Sequence, residues 1–273
     1  MPELPEVETV RRTLLSLIKG SKITNVDIKY NRIIEYPKVE EFKKEIIGQR
    51  INDMQRRGKI LIFELDDYLL LSHLRMEGRY YLKKINDEHQ KHEHVIFTLD
   101  KKEELRYIDT RKFGRMYLYP KDVAYISKPI SQLGLEPFDD KLTVTYLKNK
   151  YKKKTLPIKT VLLDQSIITG IGNIYDDEIL FKSKINPLKK ASELTDTDLE
   201  NIIKYTKEIL KSAIELGGST IHSYESAEGV TGKFQNELLV HTKEGTPCKV
   251  CGTKIVKIKV NGRGTYYCPN CQK

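Results

Sequence analysis

Cysteine is absent before Cys248, arginine all but vanishes after Arg115, and no apolar run approaches the ~18 residues a membrane span requires. The last absence excludes a helical integral membrane protein. Glu3, Glu6 and Glu8 precede any long apolar stretch, which is not how a secretory signal is built. No internal repeat or low-complexity tract is present, so collagen-like and solenoid classes drop out. What remains is a chain of 273 residues, enough for about two domains.

The charge balance is 48 Lys+Arg against 38 Asp+Glu, a net +10. That excess points to a polyanion, nucleic acid first and an anionic membrane surface second. Eleven of the 12 arginines lie before residue 116, whereas Met116 to Lys273 holds 23 lysines and only Arg263. A region that uses lysine wherever any cation serves singles out Arg263 as a place where a planar, two-pronged donor is needed.

All four cysteines fall near the C-terminus, as Cys248-x2-Cys251 and Cys268-x2-Cys271. Each pair can bring two thiolates to one ion. The segment between them reads as two strands about an Asn261-Gly262 turn. Four thiolates with no open position suit one structural zinc ion. Two disulfides are the alternative, and the absence of a secretory signal argues against them. No motif calls for a redox or nucleotide cofactor.

Apolar spacing predicts a helix over residues 5–19, ending near Gly20. From 22 to 119 the pattern is mainly strand-like, with strands at 59–65, 68–73, 95–100 and 116–119. The period then turns helical, at 142–151, 174–181 and 196–216. Residues 217–236 are rich in Gly and Ser and read as a long functional loop. The expected fold is α+β and multidomain: a β-sandwich with flanking helices over 1–130, a helical domain with the loop over 131–236, and a zinc ribbon over 237–273.

Seven motifs in order carry a resemblance along essentially the whole chain. They are Pro2-Glu3-Leu4-Pro5-Glu6, Arg57-Gly58-Lys59, Ser72-His73-Leu74-Arg75-Met76-Glu77-Gly78, Lys91-His92-Glu93-His94, Asp109-Thr110-Arg111-Lys112-Phe113-Gly114, Leu162-Leu163-Asp164-Gln165 with Gly170-Ile171-Gly172-Asn173-Ile174-Tyr175, and Gly262-Arg263-Gly264 leading into Cys268-Pro269-Asn270-Cys271-Gln272. The set resembles the formamidopyrimidine-DNA glycosylases, bifunctional base-excision enzymes for oxidised purines.

The resemblance implies a site. Met1 is normally removed before proline, which frees the secondary amine of Pro2. An α-amine is neutral for a larger fraction of the time than a lysine amine, so Pro2 suits attack on a sugar C1′. Glu3 becomes the general acid, with burial expected to raise its pKa. Lys59 becomes a phosphate-binding catalytic lysine, and Arg263 grips the lesion phosphate. Glu6 shares the pocket or serves as an ordinary first-turn glutamate.

A base inside a duplex must be flipped out and the hole filled. The resemblance gives Met76, Arg111 and Phe113 that task; without it, Met76 and Phe113 read as core residues. Gly172 and Asn173 open a helix and bind the DNA backbone, in what resembles a helix–two-turn–helix motif. Lys154, Lys159, His73 and His92 add backbone contacts. Glu77 and the loop residues Ser219, Ile221, His222, Ser223 and Tyr224 form the pocket for the everted base. Three departures from the family stand out: His222 where arginine is common, His241-Thr242 where Tyr-Gly is usual, and Leu135 in place of a proline.

The implied protein is a monomeric, cytoplasmic, nucleoid-associated glycosylase and AP lyase. It acts on double-stranded DNA containing 8-oxoguanine or formamidopyrimidines, with no membrane partner. Two rivals remain: the endonuclease VIII type, which prefers oxidised pyrimidines, and a non-catalytic binder of damaged DNA.

Overall fold

The computed structural model describes residues 1–219 and 232–273. Packing divides the chain into two units, Met1–Ser131 with Gly217–Gly232, and Gln132–Leu216 with Lys233–Lys273.

The first unit begins with helix α1, Leu4–Ile18. Glu3 and Glu6 close a reciprocal capping box at its start, so two orphan amides find partners. Val7, Val10, Leu14 and Ile18 form its buried stripe, at helical spacing. The strands are β1 (Ile23–Ile28), β2 (Ile34–Tyr36), β3 (Asp53–Arg57), β4 (Ile60–Glu64), β5 (Tyr68–His73), β6 (Arg79–Lys84), β7 (Glu93–Leu99), β8 (Glu103–Ile108) and β9 (Arg115–Pro120). They make a four-stranded sheet, β1-β7-β8-β6, and a five-stranded sheet, β2-β9-β5-β4-β3. Only the β2–β9 pair is parallel.

Alternation assigns the faces. Leu61, Ser72 and Met116 lie in register, as do Phe63, Leu70 and Leu118, and all are buried. Tyr80, Tyr107 and Val95 do the same in the other sheet. Both inner faces join one core with the α1 stripe. The buried Ser72 hydroxyl is satisfied by the Tyr80 hydroxyl of the facing sheet, at 2.7 Å. This is the expected sandwich, with one addition: helix α2, Val39–Ile46, interrupts the strand-like stretch. Only Phe42 and Ile46 of α2 are buried, too few to print a period on the sequence. A short helix, α3 (Lys121–Ala124), ends the unit's strand series.

The second unit holds α4 (Val144–Tyr151), α5 (Ile158–Leu162), α6 (Asn173–Lys182) and α7 (Asp196–Glu215), followed by the hairpin β10 (Val256–Val260) and β11 (Arg263–Tyr267). Thr143 caps α4, and Thr195 with Asp198 forms a capping box on α7. Helix α6 is buried nearly all round, including Asp176, Asp177 and Glu178. The ribbon is anchored on this helical unit rather than standing alone as a third body. Gln272 donates from Nε2 to the Ile185 carbonyl, and Phe181 joins Cys248 and Cys268 in one apolar cluster. So small a hairpin buries little by itself and borrows a core from α6. Among the described residues, no helix is long and apolar enough to cross a membrane.

Candidate catalytic and DNA-binding sites

Strand register gathers the first unit's site residues at one end of the sandwich. Ile60 pairs His73, and His73 pairs Arg115, so the β3–β4 turn holding Lys59, the end of β5 and the start of β9 are neighbours. In the other sheet Ile108 faces both Arg79 and Glu93. Two loops cross between the sheets at that end: 74–78, with Met76 and Glu77, and 109–114, with Arg111 and Phe113. His92 sits just before β7 beside them, its carbonyl accepting from the Asp109 amide at 3.1 Å.

Helix α1 reaches the same end. Arg11 donates to the Met54 carbonyl at 3.0 Å, and Glu8 pairs with Arg56 at 3.3 Å. Stepping back along α1 therefore means stepping forward along β3, which brings Pro2 and Glu3 toward Gly58 and Lys59. Arg56 also donates to the Gly58 carbonyl at 3.0 Å and holds the Lys59 turn in place. Pro2, Glu3 and Lys59 are buried, while Met1 is half-exposed.

Glu6 acts as a bolt. One carboxylate oxygen accepts the Glu3 amide and the other accepts the Ser219 amide, both at 2.8 Å. Gly218 carries φ +82°, and a Cβ there would lie 2.8 Å from Glu6 Oε1. The chain start and the first residues of the loop are thus fixed to one carboxylate. Ser219 is buried, and among the described residues its hydroxyl has no hydrogen-bond partner. Ile221, His222, Ser223 and Tyr224 lie outside the described residues.

His73 is held neutral. Burial, then Arg75 and then Lys59, push its pKa down to about 3. Its Nδ1 accepts the Arg75 amide at 3.0 Å, so the remaining ring proton sits on Nε2 as a donor. The 109–114 loop is hydrogen-bonded at its base and exposed at Phe113. The buried Asp109 carboxylate accepts the Arg111 amide at 3.0 Å and the Gly114 amide at 2.8 Å. A Cβ on Gly114 would fall 1.7 Å from the Tyr107 hydroxyl, so no other residue fits there. Thr110 donates to Glu77, which ties the two crossing loops together. Phe113 is exposed, with the Arg111 guanidinium 4.8 Å from its ring centroid. Met76 is only half-buried, so neither it nor Phe113 is a core residue.

The second unit presents the start of α6. Gln165 staples the turns before it: its Nε2 donates to the Leu163 and Ile171 carbonyls at 3.0 and 2.8 Å, and its Oε1 accepts the Gly170 amide at 2.8 Å. Gly172 is the N-cap residue and Asn173 the first helical residue, so the positive end of the α6 dipole lies at this turn. Asn173 donates to the Gly264 carbonyl at 2.9 Å, joining the helix start to the ribbon turn next to the exposed Arg263. Lys154 is partly exposed and pairs with Asp164 at 3.4 Å.

Lys159 corrects the sequence expectation. It is wholly buried, with its ammonium 2.7 Å from Asp177, 3.5 Å from Asp176 and 3.2 Å from the Asn173 carbonyl. So placed, it cannot touch a phosphate. It anchors the first turn of α6 instead. Periodicity could not separate this lysine from its exposed neighbours, because its partners lie on another helix.

The four cysteine sulfurs lie within 4.8 Å of one another, with Cys251–Cys268 at 3.5 Å and Cys248–Cys271 at 3.9 Å. A tetrahedral zinc ion with ~2.3 Å bonds to sulfur needs its thiolates about 3.8 Å apart. The donor set therefore fits zinc. The ion would fix the ribbon and with it the position of Arg263.

Along the chain stand, in order, a two-sheet sandwich, a helical unit and a four-thiolate ribbon. Three family models match in that order: the formamidopyrimidine-DNA glycosylase N-terminal domain over residues 1–116, its H2TH domain over 133–225, and the zinc finger found in FPG and IleRS over 245–273. The formamidopyrimidine-DNA glycosylase of Shouchella clausii is 51% identical over 273 residues, 100% of this chain and 99% of that protein. A Lactococcus lactis FPG mutant in complex with Fapy-dG-containing DNA superposes with TM-score 0.94 at 44% identity, covering 100% of both chains. The wild-type Lactococcus lactis protein in complex with DNA containing an oxidised pyrimidine gives 0.92 at 43%, also covering 100% of both chains. The chain belongs to the formamidopyrimidine-DNA glycosylase family, the glycosylase/AP lyases of base-excision repair.

Proposed function

We propose that the protein excises oxidised purines, 8-oxoguanine and formamidopyrimidines, from duplex DNA and cuts the resulting site through the amine of Pro2. Removal of Met1 exposes that amine. Its nitrogen attacks C1′ as the bond to the damaged base breaks, and Glu3 supplies a proton as the deoxyribose ring opens. The iminium so formed is an electron sink. Loss of a C2′ proton expels the 3′ phosphate, and a second elimination expels the 5′ phosphate, leaving a one-nucleotide gap. Lys59, His73 and Arg263 bind the phosphates that flank or leave the lesion. Met76, Arg111 and Phe113 fill the space of the extruded base. Glu77, Ser219 and the loop residues Ile221–Tyr224 receive it.

The observation that carries this reading is the convergence of the chain start, Lys59, His73, His92 and both wedge loops at one end of the sandwich. The choice of purines rests on the resemblance, in which the endonuclease VIII type begins Pro-Glu-Gly-Pro-Glu where this chain has Leu4 and carries a different set in place of Met76–Arg111–Phe113, and on the relative solved with Fapy-dG DNA. The relative solved with an oxidised pyrimidine supports a second, weaker substrate class. We further place the protein as a monomer in the cytoplasm, at the nucleoid; a reducing compartment keeps its four thiols available for zinc. Borohydride trapping tests the mechanism: mature protein with an 8-oxoguanine·C duplex should yield a covalent adduct, and Pro2→Gly should greatly reduce it. DNA binding without any adduct would refute the enzyme reading. Faster excision of thymine glycol than of 8-oxoguanine would move the protein to the endonuclease VIII type.

A further inference from the structure

Two glycines of the first unit bracket one buried hydroxyl. Tyr107, on β8, is fully buried and pairs with Tyr80 on β6 and Val95 on β7. A methyl group on Gly78 would lie 2.2 Å from the Tyr107 hydroxyl oxygen, and one on Gly114 would lie 1.7 Å from it. Gly78 closes the 74–78 loop, which carries Met76 and Glu77. Gly114 closes the 109–114 loop, which carries Arg111 and Phe113. The hydroxyl therefore lies between the two backbones, at the root of both crossing loops. It also donates to Asp109 Oδ2 at 3.4 Å, the oxygen that accepts the Gly114 amide at 2.8 Å. The other oxygen of Asp109 holds the Arg111 amide at 3.0 Å.

Neither Gly78 nor Gly114 has a positive φ. Both lie outside the left-handed region that favours glycine, so space and not backbone conformation sets the residue there. At Gly78 the Leu74 carbonyl, 2.6 Å from the added methyl, shares in the exclusion. At Gly114 the two nearest atoms both belong to Tyr107: the hydroxyl oxygen, and the ring carbon that bears it at 2.7 Å. The core itself has no need of that oxygen. Phenylalanine would pack equally against Tyr80, whose ring centroid is 5.1 Å away, with no buried polar atom to satisfy. We propose that the Tyr107 hydroxyl is a positioning group for base extrusion: it sets the spacing between the Met76 loop and the Arg111–Phe113 loop, so that the three side chains enter the duplex as one wedge. The inference rests on the proposed function, in which these three fill the space of the extruded base.

Other ties do a different job. Thr110 donates to Glu77 and joins the two loops where they are exposed. The Asp109 amide donates to the His92 carbonyl, and His94 Nε2 meets the Asp109 carbonyl at 2.9 Å, which fixes the second loop to β7. Tyr107 is placed against both loops at once. Without its oxygen the roots can close on the space of one atom, and a shift of about 1 Å in a positioned group can slow a reaction by about a hundredfold. Pro2, Lys59 and His73 stand on other elements. Cleavage of a site that has already lost its base needs no wedge, so that step should be spared.

The test compares Tyr107→Phe with wild type, as full mature chains and well below their melting temperatures. Tyr80→Phe is the control, because it too deletes one buried hydroxyl of this core, the one that meets Ser72 at 2.7 Å. Single-turnover excision from an 8-oxoguanine·C duplex is measured beside cleavage of a preformed abasic site. Tyr107→Phe should slow excision by about tenfold or more and leave abasic cleavage within about twofold of wild type. Tyr80→Phe should melt lower yet keep the wild-type ratio of the two rates, which a merely structural role for Tyr107 would also predict for Tyr107→Phe. A 2-aminopurine beside the lesion brightens on unstacking, and its signal should be delayed in Tyr107→Phe alone. Gly114→Ala tests the spacing directly. It should slow excision severely in wild type and less in the Tyr107→Phe background, where the nearest Tyr107 atom recedes from 1.7 to 2.7 Å. An unchanged ratio of excision to abasic cleavage in Tyr107→Phe, or strict additivity of the two substitutions, would overturn the inference and leave the glycosylase reading intact. Wild-type protein that binds the duplex and excises nothing would instead strike the proposed function itself.

Discussion

The two units fix their functional groups by opposite means. In the first, sheet register sets positions and backbone amides set orientations: Glu6 holds the Glu3 and Ser219 amides, Asp109 those of Arg111 and Gly114, and His73 that of Arg75. In the second, orientation comes from buried charge pairs and four sulfurs: Lys159 with Asp176 and Asp177, Asp177 with His241, and the cysteine cluster. Amide clamps degrade one bond at a time. A buried ion cluster or metal site fails all at once, because removing one charge strands the rest. Chemistry in the first unit should therefore be lost without loss of structure, whereas changes in the second should cost stability and affinity together.

The largest contrast is between Pro2 and the zinc ligands. Pro2→Gly, or retention of Met1, should greatly reduce the trapped adduct and strand cleavage while leaving thermal stability and abasic-analogue affinity near wild type. Stripping zinc with a chelator, or Cys268→Ser, should unfold the ribbon and weaken DNA binding, since structural zinc carries ribbon folding. Circular dichroism with a binding assay checks both. Equal loss of binding in the two cases would erase the contrast.

Next comes Lys159→Met, which leaves Asp176 and Asp177 buried without their cation. Such a loss typically costs about 3–5 kcal/mol, read as a lowered midpoint in urea or heat. A cost below about 1 kcal/mol, the size of a surface pair, would mean that Lys159 is not the anchor described. In the first unit the comparable change is Asp109→Ala, which frees two amides at about 1–3 kcal/mol in all. Excision of a flipped base should fall more than cleavage of a preformed abasic site, because in the proposed mechanism only the former needs the 109–114 loop.

Sequence reading reached the first unit's design further than the second's. The α1 stripe, the strands β4, β5, β7 and β9, and the paired cysteines all have local signatures. Convergence of Lys59, His73, Met76 and Arg111 was legible only through family resemblance, since register between β4, β5 and β9 is not printed in any one strand. The Asp176-Asp177-Glu178 run on α6 carries no apolar pattern that marks a core, yet all three are buried. Their partners, Lys159 and the segment Leu239–His241, come from distant parts of the chain, and no spacing rule links them. The anchoring roles of Glu6, Asp109 and Gln165 were invisible for the same reason: each holds backbone amides or carbonyls, which every residue has.

His73 gives a smaller, signed effect. Its folded pKa of about 3 lies below the ordinary histidine value near 6.5, so between those limits the unfolded chain binds more protons. Stability should fall as pH drops from about 6.5 toward 3, and His73→Gln should remove that part of the slope. Arg263→Lys separates charge from shape in the second unit. The ammonium keeps the positive charge but loses the planar fork, so cleavage should slow while affinity changes little.

The smallest effect belongs to Lys154, partly exposed and paired with Asp164 at 3.4 Å. If it meets a phosphate, binding releases about one counterion on its account. Lys154→Gln should then lower the slope of log Kd against log salt by about 0.9 and weaken binding to all sequences alike. Stability should hardly move, because a half-exposed pair contributes about 1 kcal/mol at most. Lys159→Met, run beside it, should do the reverse, with a large stability loss and a salt slope still close to wild type once binding is measured well below its melting point. An unchanged slope for Lys154→Gln, or a reduced one for Lys159→Met, would mean that the line drawn between the exposed and the buried lysine of this unit is in the wrong place.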